Sequence, residues 1–113
     1  MKVRVKRAYD GVAKDDGFRV LADRLWPRGV IKVSAEIDVW AKNVAPSNEL
    51  RAWFHKNKEE RFRDFSKRYK KELVTGAKLK TFKKMLRGKK VVTIVTGVKD
   101  VEHSHIPTLM KQL

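Results

Sequence analysis

The sequence predicts a small α/β domain in which a three-stranded, at least partly parallel sheet packs with four to five helices. Three observations support this class: an alternation of valine with charged residues near the N-terminus, amphipathic stripes in the second half, and a β-branched run near residue 91. Strands separated by helices are typical of an α/β layer arrangement. Because 113 residues suffice for one hydrophobic core but not for two, we expect a single domain over residues 1–113.

Three segments have strand patterns. Residues 3–9 alternate apolar and charged side chains and predict a half-buried first strand. Residues 18–25 have a nearly continuous apolar centre and predict a second strand, which Pro27 and Gly29 end. The eight residues between these strands are fewer than a parallel crossover normally needs, so the direction of their pairing stays open. Residues 91–96 predict a strand that is covered on both faces.

The remaining patterns are helical. Residues 34–44 fit both a helix and a strand, and we favour a helix. Ser47 is a suitable N-cap for a short helix through Phe54. Apolar residues at spacings of three and four predict longer helices over residues 58–73 and 79–86, which Gly76 and Gly88 follow. A C-terminal helix starts near Ile106, where Pro107 fits the first turn.

The composition excludes several classes of protein. Without cysteine there is no disulfide, no thiolate metal site and no cysteine nucleophile. No apolar run approaches the roughly 20 residues that span a bilayer, so we expect a cytoplasmic protein with no membrane partner. No phosphate-binding glycine loop, serine nucleophile elbow or zinc finger is present, and we predict no cofactor and no metal site. The high charge content and few Asn and Gln are typical of heat-adapted proteins.

The formal net charge of +15 is concentrated in residues 51–90, which hold 16 Lys or Arg against 4 Asp or Glu. Such a field attracts polyanions, and nucleic acid is one candidate partner. A solvated helix surface and a site for an acidic protein are the alternatives. Glu59 with Arg63 and Asp64 with Arg68 have the i, i+4 spacing of ion pairs that would offset part of the charge. The nucleic-acid interpretation uses Lys67, Lys70, Lys71, Lys80, Lys84 and Arg87.

Two segments, residues 22–29 and 96–105, follow predicted buried strands. In open α/β sheets ligands bind beyond the carboxyl ends of strands, so the two segments share one pocket if these strands are parallel. Arginine and lysine side chains there would bind carboxylate or phosphate, and amides at the start of the last helix would help. We therefore predict a site for an anionic or phosphate-bearing small molecule. The alternative is structural, with Asp23 paired to one of the arginines. The predicted ligand-binding residues are Asp23, Arg24, Trp26, Arg28, Lys99 and His105.

His103 and Asp100 are the predicted catalytic residues, because a carboxylate can orient a neutral histidine as a general base. The alternative is a histidine at a helix end that only bonds to backbone. The sequence leaves open whether the protein is an enzyme, and it indicates no oligomeric state.

The chain resembles the YeaO-like family over nearly its whole length. The resemblance is carried by four segments: Arg19-Val-Leu-Ala-Asp-Arg-Leu-Trp-Pro-Arg-Gly29, Asp38-Val-Trp40, Ala45-Pro-Ser47 and Lys99-Asp-Val-Glu-His103. Thr96-Gly97-Val98 departs from this resemblance, because relatives carry a tyrosine followed by alanines there, and lysine is denser in residues 56–90 than in relatives. The resemblance implies that the most characteristic positions are Asp23, Arg24, Pro27, Arg28, Gly29, Lys99, Asp100 and His103.

Overall fold

A sheet of four parallel strands organises the fold in the computed structural model, which describes residues 1–113. The α/β class is confirmed. The sheet has one strand more than predicted, and the sequence does not reveal this strand because it is only two residues long. The strands lie side by side in the order β1-β4-β2-β3. They are β1 (Lys2–Arg7), β2 (Phe18–Leu21), β3 (Val39–Trp40) and β4 (Val91–Thr96).

The two faces of the sheet differ in chemistry. On one face Val3 and Val5 pack against the hydrophobic core, as the alternation along β1 predicts. On the other face Arg4 and Lys6 pair with the carboxylates of Asp15 and Asp16. The apolar run of β4 is explained by its central position, since it pairs with β1 on one side and β2 on the other.

The link between β1 and β2, residues 8–17, returns the chain to the opposite end of the sheet. Both strands are parallel to β4, which lies between them, so they do not pair with each other. Ten extended residues can span about 33 Å, whereas a six-residue strand is only about 20 Å long. The return therefore needs no helix, and its only regular structure is a 3-10 turn over Lys14–Asp16.

The prediction of a helix over residues 34–44 is wrong. This segment contains the end of a single helical turn, α1 (Lys32–Ala35), the strand β3 and a 3-10 turn over Lys42–Val44. β3 forms because Val39 and Trp40 pair with β2 at the edge of the sheet. Local periodicity does not report such a long-range contact.

Four longer helices follow, and their positions agree with the predicted patterns. Ser47 is the N-cap of the first, and its Oγ accepts the amide hydrogen of Leu50 at 3.2 Å. Tyr69 and Leu73 are fully buried on the apolar stripe of the second. The helices are α2 (Asn48–His55), α3 (Lys58–Val74), α4 (Lys78–Leu86) and α5 (Ile106–Lys111).

A 15-residue hydrophobic core is formed by residues of β2 and β4, of helices α2 to α5, and by Ala22, Ala41 and Val44 from the segments between them. Val20, Ile94 and Leu109 are fully buried in it. None of the helices is long and apolar enough to cross a bilayer.

Candidate functional site

The site begins where β2 and β4 end, because Asp23 joins the two strand ends. Its Oδ1 accepts a hydrogen bond from the Thr96 hydroxyl at 2.7 Å, and its Oδ2 accepts the amide hydrogen of Gly97 at 2.7 Å. These contacts bring together the two segments that the sequence predicts to share a pocket. They also explain why β2 ends at Leu21 and not at the predicted Leu25, since Asp23 turns the chain toward β4.

Gly97 allows the two loops to touch. A Cβ atom at this position would lie 3.0 Å from the Cβ of Pro27, closer than ordinary van der Waals contact. Pro27 is itself buried. A side chain at position 97 would therefore push the two loops apart.

His105 lies beneath this junction and is 7% exposed. Its Nε2 is 2.8 Å from the carbonyl oxygen of Ala22 and 3.3 Å from Oδ1 of Asp23. Because a carbonyl oxygen only accepts hydrogen bonds, Nε2 carries a proton. The ring packs edge-on against Tyr69, with 5.8 Å between centroids.

Tyr69 is a neutral phenol in this environment. Burial raises its pKa well above the usual range, and the charges of Glu72 and Asp23 raise it further. Its hydroxyl donates to the carbonyl oxygen of Val44. The side chain therefore anchors α3 to the segment that precedes α2.

The first two residues of α5 offer no free amide hydrogen to an anion. The amide of Ile106 donates to Oγ of Ser104 at 3.1 Å, and Pro107 has no amide hydrogen. These two residues therefore add nothing to the anion binding that is predicted at the start of this helix.

Arg24 is half-buried and oriented by backbone. Its Nε donates to the carbonyl oxygen of Pro46 at 2.8 Å, and one terminal nitrogen donates to that of Ala45 at 3.1 Å. No carboxylate lies within 4 Å of the guanidinium, so the proposed pairing of Asp23 with an arginine does not occur. The positive charge is held in place but not compensated.

Two further cations at the site have no protein partner. The side chains of Arg28 and Lys99 are exposed and make no hydrogen bond or ion pair within the protein. The backbone of Arg28 is nevertheless fixed, since the carbonyl oxygen of Arg28 accepts a hydrogen bond from the Tyr9 hydroxyl at 2.9 Å. Trp26 fixes the loop that carries Arg28 by donating from Nε1 to the carbonyl oxygen of Val30 at 2.7 Å.

His103 and Asp100 form a pair at the surface. Nδ1 of the histidine is 2.9 Å from Oδ2 of the aspartate, whose Oδ1 accepts the amide hydrogen of His103 at 3.3 Å. The two side chains are 62% and 67% exposed. An ionised carboxylate only accepts, so the ring is protonated at Nδ1, and its Nε2 is the acceptor when the ring is neutral.

One cavity of about 850 Å³ is lined by all eight residues of the predicted ligand-binding and catalytic sets. Its lining contains five Arg or Lys and three Asp or Glu. Two of the three carboxylates, those of Asp23 and Asp100, are engaged by the contacts described above. The arrangement can hold an anion, since its cations outnumber its carboxylates and none of the five cations has an ion-pair partner.

Sequence reasoning missed the part of the lining that comes from α2 and α3. Arg51 and Lys58 add positive charge, and His55 lies between them in the chain. Neighbouring atoms that displace water from the ring lower the pKa of His55 from its usual value, and the positive charges of Lys58 and Arg51 lower it further. The sequence does show that these basic residues cluster around the turn between α2 and α3. It does not show where this turn lies relative to the sheet, so the cluster alone does not predict that it lines the cavity.

The basic residues of the nucleic-acid interpretation lie outside this cavity, on α3 and α4 and just after α4. All six are exposed. The predicted ion pairs of Glu59 with Arg63 and of Asp64 with Arg68 do not form within 4 Å. Instead the guanidinium of Arg68 lies over the Trp53 ring, 4.2 Å from its centroid.

Fold and site together define a small parallel α/β protein with a cationic cavity at the carboxyl ends of two adjacent strands. Residues 2–113 match the family described as the inactive DUF488-N3 subclade. The chain therefore belongs to this family, and the resemblance to YeaO-like proteins is confirmed.

The relatives include two bacterial proteins. Uncharacterized protein Rv3073c of Mycobacterium tuberculosis is 46% identical over 112 residues, which is 99% of this chain and 93% of the relative. Uncharacterized protein YeaO of Escherichia coli is 49% identical over 55 residues, which is 49% of this chain and 48% of the relative. No solved structure matches the chain.

Proposed function

We propose that the protein binds a small anionic molecule, such as a carboxylate or phosphate ester, in the cavity at the ends of β2 and β4. The observation that carries the proposal is the half-buried Arg24 guanidinium, which two carbonyl groups orient and no carboxylate neutralises. Arg28 and Lys99 supply two more cations without a protein partner at the same cavity. Charge-assisted hydrogen bonds to guanidinium groups suit carboxylate and phosphate oxygens.

The proposal is for binding and not for catalysis. His103 and Asp100 have the geometry of an oriented base, but both are more than half exposed, where water competes for their hydrogen bonds. The family description also calls the subclade inactive. Asp23 and His105 then act by fixing the strand ends on which the cations are carried.

The test is calorimetric titration with inorganic phosphate of the wild type and two variants of equal charge change. The double substitution Arg28→Gln with Lys99→Gln removes two exposed cations from the cavity. Each lost charge-assisted hydrogen bond should weaken binding about tenfold. The control, Lys80→Gln with Lys84→Gln, removes two exposed cations of α4 and should leave phosphate binding unchanged. Equal loss in both variants would show that only net charge matters and would end the proposal.

A second candidate is binding of nucleic acid by the basic surface of α3 and α4. One observation favours it: none of the 16 Lys or Arg side chains in residues 51–90 lies within 4 Å of a carboxylate. Unpaired cations on neighbouring helices can neutralise phosphates without reading sequence.

This candidate predicts the opposite behaviour of the same two variants. Binding to duplex DNA should weaken with salt, with a log-log slope of roughly 0.9 for each phosphate contact. The pair Lys80→Gln with Lys84→Gln should reduce that slope by up to about 1.8, and the cavity variant should leave it nearly unchanged. Binding that does not depend on salt, measured by fluorescence anisotropy, would contradict it.

A further inference from the structure

Aromatic side chains form part of the lining of the same cavity. Five of the ten aromatic residues of the chain are among its 23 lining residues, beside cations that would suffice for a simple oxyanion. Phenylalanines of α2 and α3 contribute most of these rings, whereas the partnerless cations follow β2 and β4. The five aromatic residues are Tyr9, Trp26, Phe54, Phe62 and Phe65.

Some of these rings are not fully buried by packing inside the protein. Phe54 and Phe65 stack on each other with 4.0 Å between centroids, and both are buried. Phe62 is only half-buried, and its closest aromatic contact is the exposed His103 ring, edge-on at 5.2 Å. Phe62 therefore packs against the core with one part of its ring and lines the cavity with another.

Trp26 is also half-buried, and its polar atom is already satisfied. Its Nε1 donates to Val30, and Trp40 packs against it edge to face at 5.4 Å. What Trp26 offers to the cavity is hydrocarbon ring surface in a fixed orientation. Aromatic pairs stabilise a complex beyond the burial of their area, so an aromatic partner gains more against this ring than an aliphatic one.

The cavity is also larger than an oxyanion requires. A volume of about 850 Å³ lies within the range of 300–1,000 Å³ that is typical of sites for organic ligands. Such sites combine aromatic walls with a few placed polar groups.

We propose, building on the anion-binding function above, that the ligand joins its anionic group to a planar aromatic ring. The anion lies at Arg24, Arg28 and Lys99, and the ring packs against Phe62 and Trp26. Aryl phosphates and aryl carboxylates are the simplest molecules with this chemistry.

The experiment compares three probes on the wild-type protein by calorimetry: phenyl phosphate, cyclohexyl phosphate and inorganic phosphate. Phenyl phosphate should bind about threefold to tenfold more tightly than cyclohexyl phosphate, because ring-ring contact adds to burial. Equal affinities for the phenyl and cyclohexyl esters would overturn the aromatic preference. Phenyl phosphate that binds no better than inorganic phosphate would overturn it too, while leaving the anion-binding function intact. Failure of all three to bind would overturn both proposals.

Substitutions of single aromatic residues test which side chain is responsible for the preference for phenyl over cyclohexyl phosphate. Phe62→Leu keeps an apolar side chain but removes the ring, so it should weaken phenyl phosphate binding more than cyclohexyl phosphate binding and abolish the advantage of the phenyl ester. Trp53→Leu is the matched control, because Trp53 is half-buried but does not line this cavity. A preference that survives Phe62→Leu and is lost in Trp53→Leu would place the ring elsewhere and overturn the assignment.

Discussion

Asp16 shows how one residue organises the polar face of the sheet. Its side chain is 2% exposed and accepts hydrogen bonds from Arg19 at 2.6 Å, from Lys6 at 3.1 Å and from the amide of Ala13 at 3.0 Å. Its carbonyl oxygen accepts the Thr93 hydroxyl at 2.6 Å. The short link between β1 and β2 is thereby fixed across three strands.

These contacts set the acid stability of the fold. Burial raises the pKa of Asp16, but the hydrogen bonds from Ala13, Lys6 and Arg19 and the positive charge of Lys6 lower it by more, so the folded pKa lies below the unfolded value of 3.8. A depressed folded pKa stabilises the protein above the unfolded value, and this stabilisation is lost as the pH falls through the folded pKa. Asp16 therefore contributes fully at neutral pH and progressively less in strong acid.

We expect Asp16→Asn to lower the free energy of unfolding at pH 7 by about 1–3 kcal/mol, since it leaves the buried Arg19 without its charged partner. The difference between wild type and variant should shrink below pH 4. Urea unfolding at several pH values between 2 and 7 measures it. Asp15→Asn is the control: Arg4 lowers the pKa of this carboxyl as well, but Asp15 is 71% exposed and should matter little. A difference that stays constant down to pH 2 would contradict the assignment.

At the scale of elements, the sequence predicts best where a pattern is long. The 17-residue helix α3 and the buried strand β4 both agree with their periodicity. The two-residue β3 is too short to have a period, and its pairing with β2 comes from packing over 19 positions of the chain. A long-range contact also explains why the ion pair expected between Asp64 and Arg68 does not form. The guanidinium of Arg68 lies over the ring of Trp53 on the neighbouring helix α2.

The same distinction explains how much of the candidate site was predictable. The loops after β2 and β4 could be placed together because the carboxyl ends of parallel neighbours meet at one edge of a sheet. The spacing of Phe62 and Phe65 predicts only that they lie on the apolar stripe of α3, and this stripe does not show which of its rings reach a cavity. Arg51 and Lys58 add only to the net charge at the level of sequence, because no local pattern shows that the turn between α2 and α3 lies over the strand ends.

At the scale of the whole molecule, positive charge opposes folding. A net charge of +15 on 113 residues makes the compact state repel itself. Only five ion pairs offset it, and two of these involve histidine, which contributes only when protonated. Cations that are free to bind a ligand or a polyanion thus lower the stability of the unbound protein.

This repulsion should be visible as an effect of salt on melting. Sodium chloride shortens the Debye length from about 30 Å at 0.01 M to about 8 Å at 0.15 M. The melting temperature should therefore rise over this range, by about 4–8 °C for each kcal/mol of repulsion relieved. Differential scanning calorimetry measures the change, and the rise should be smaller for Lys80→Gln with Lys84→Gln, which removes two charges without changing helix propensity greatly. A melting temperature that falls with salt would mean that the ion pairs outweigh the repulsion.

Stabilisation by millimolar phosphate beyond that of chloride at equal ionic strength would instead report occupation of a discrete site, since binding to the folded state stabilises it by mass action.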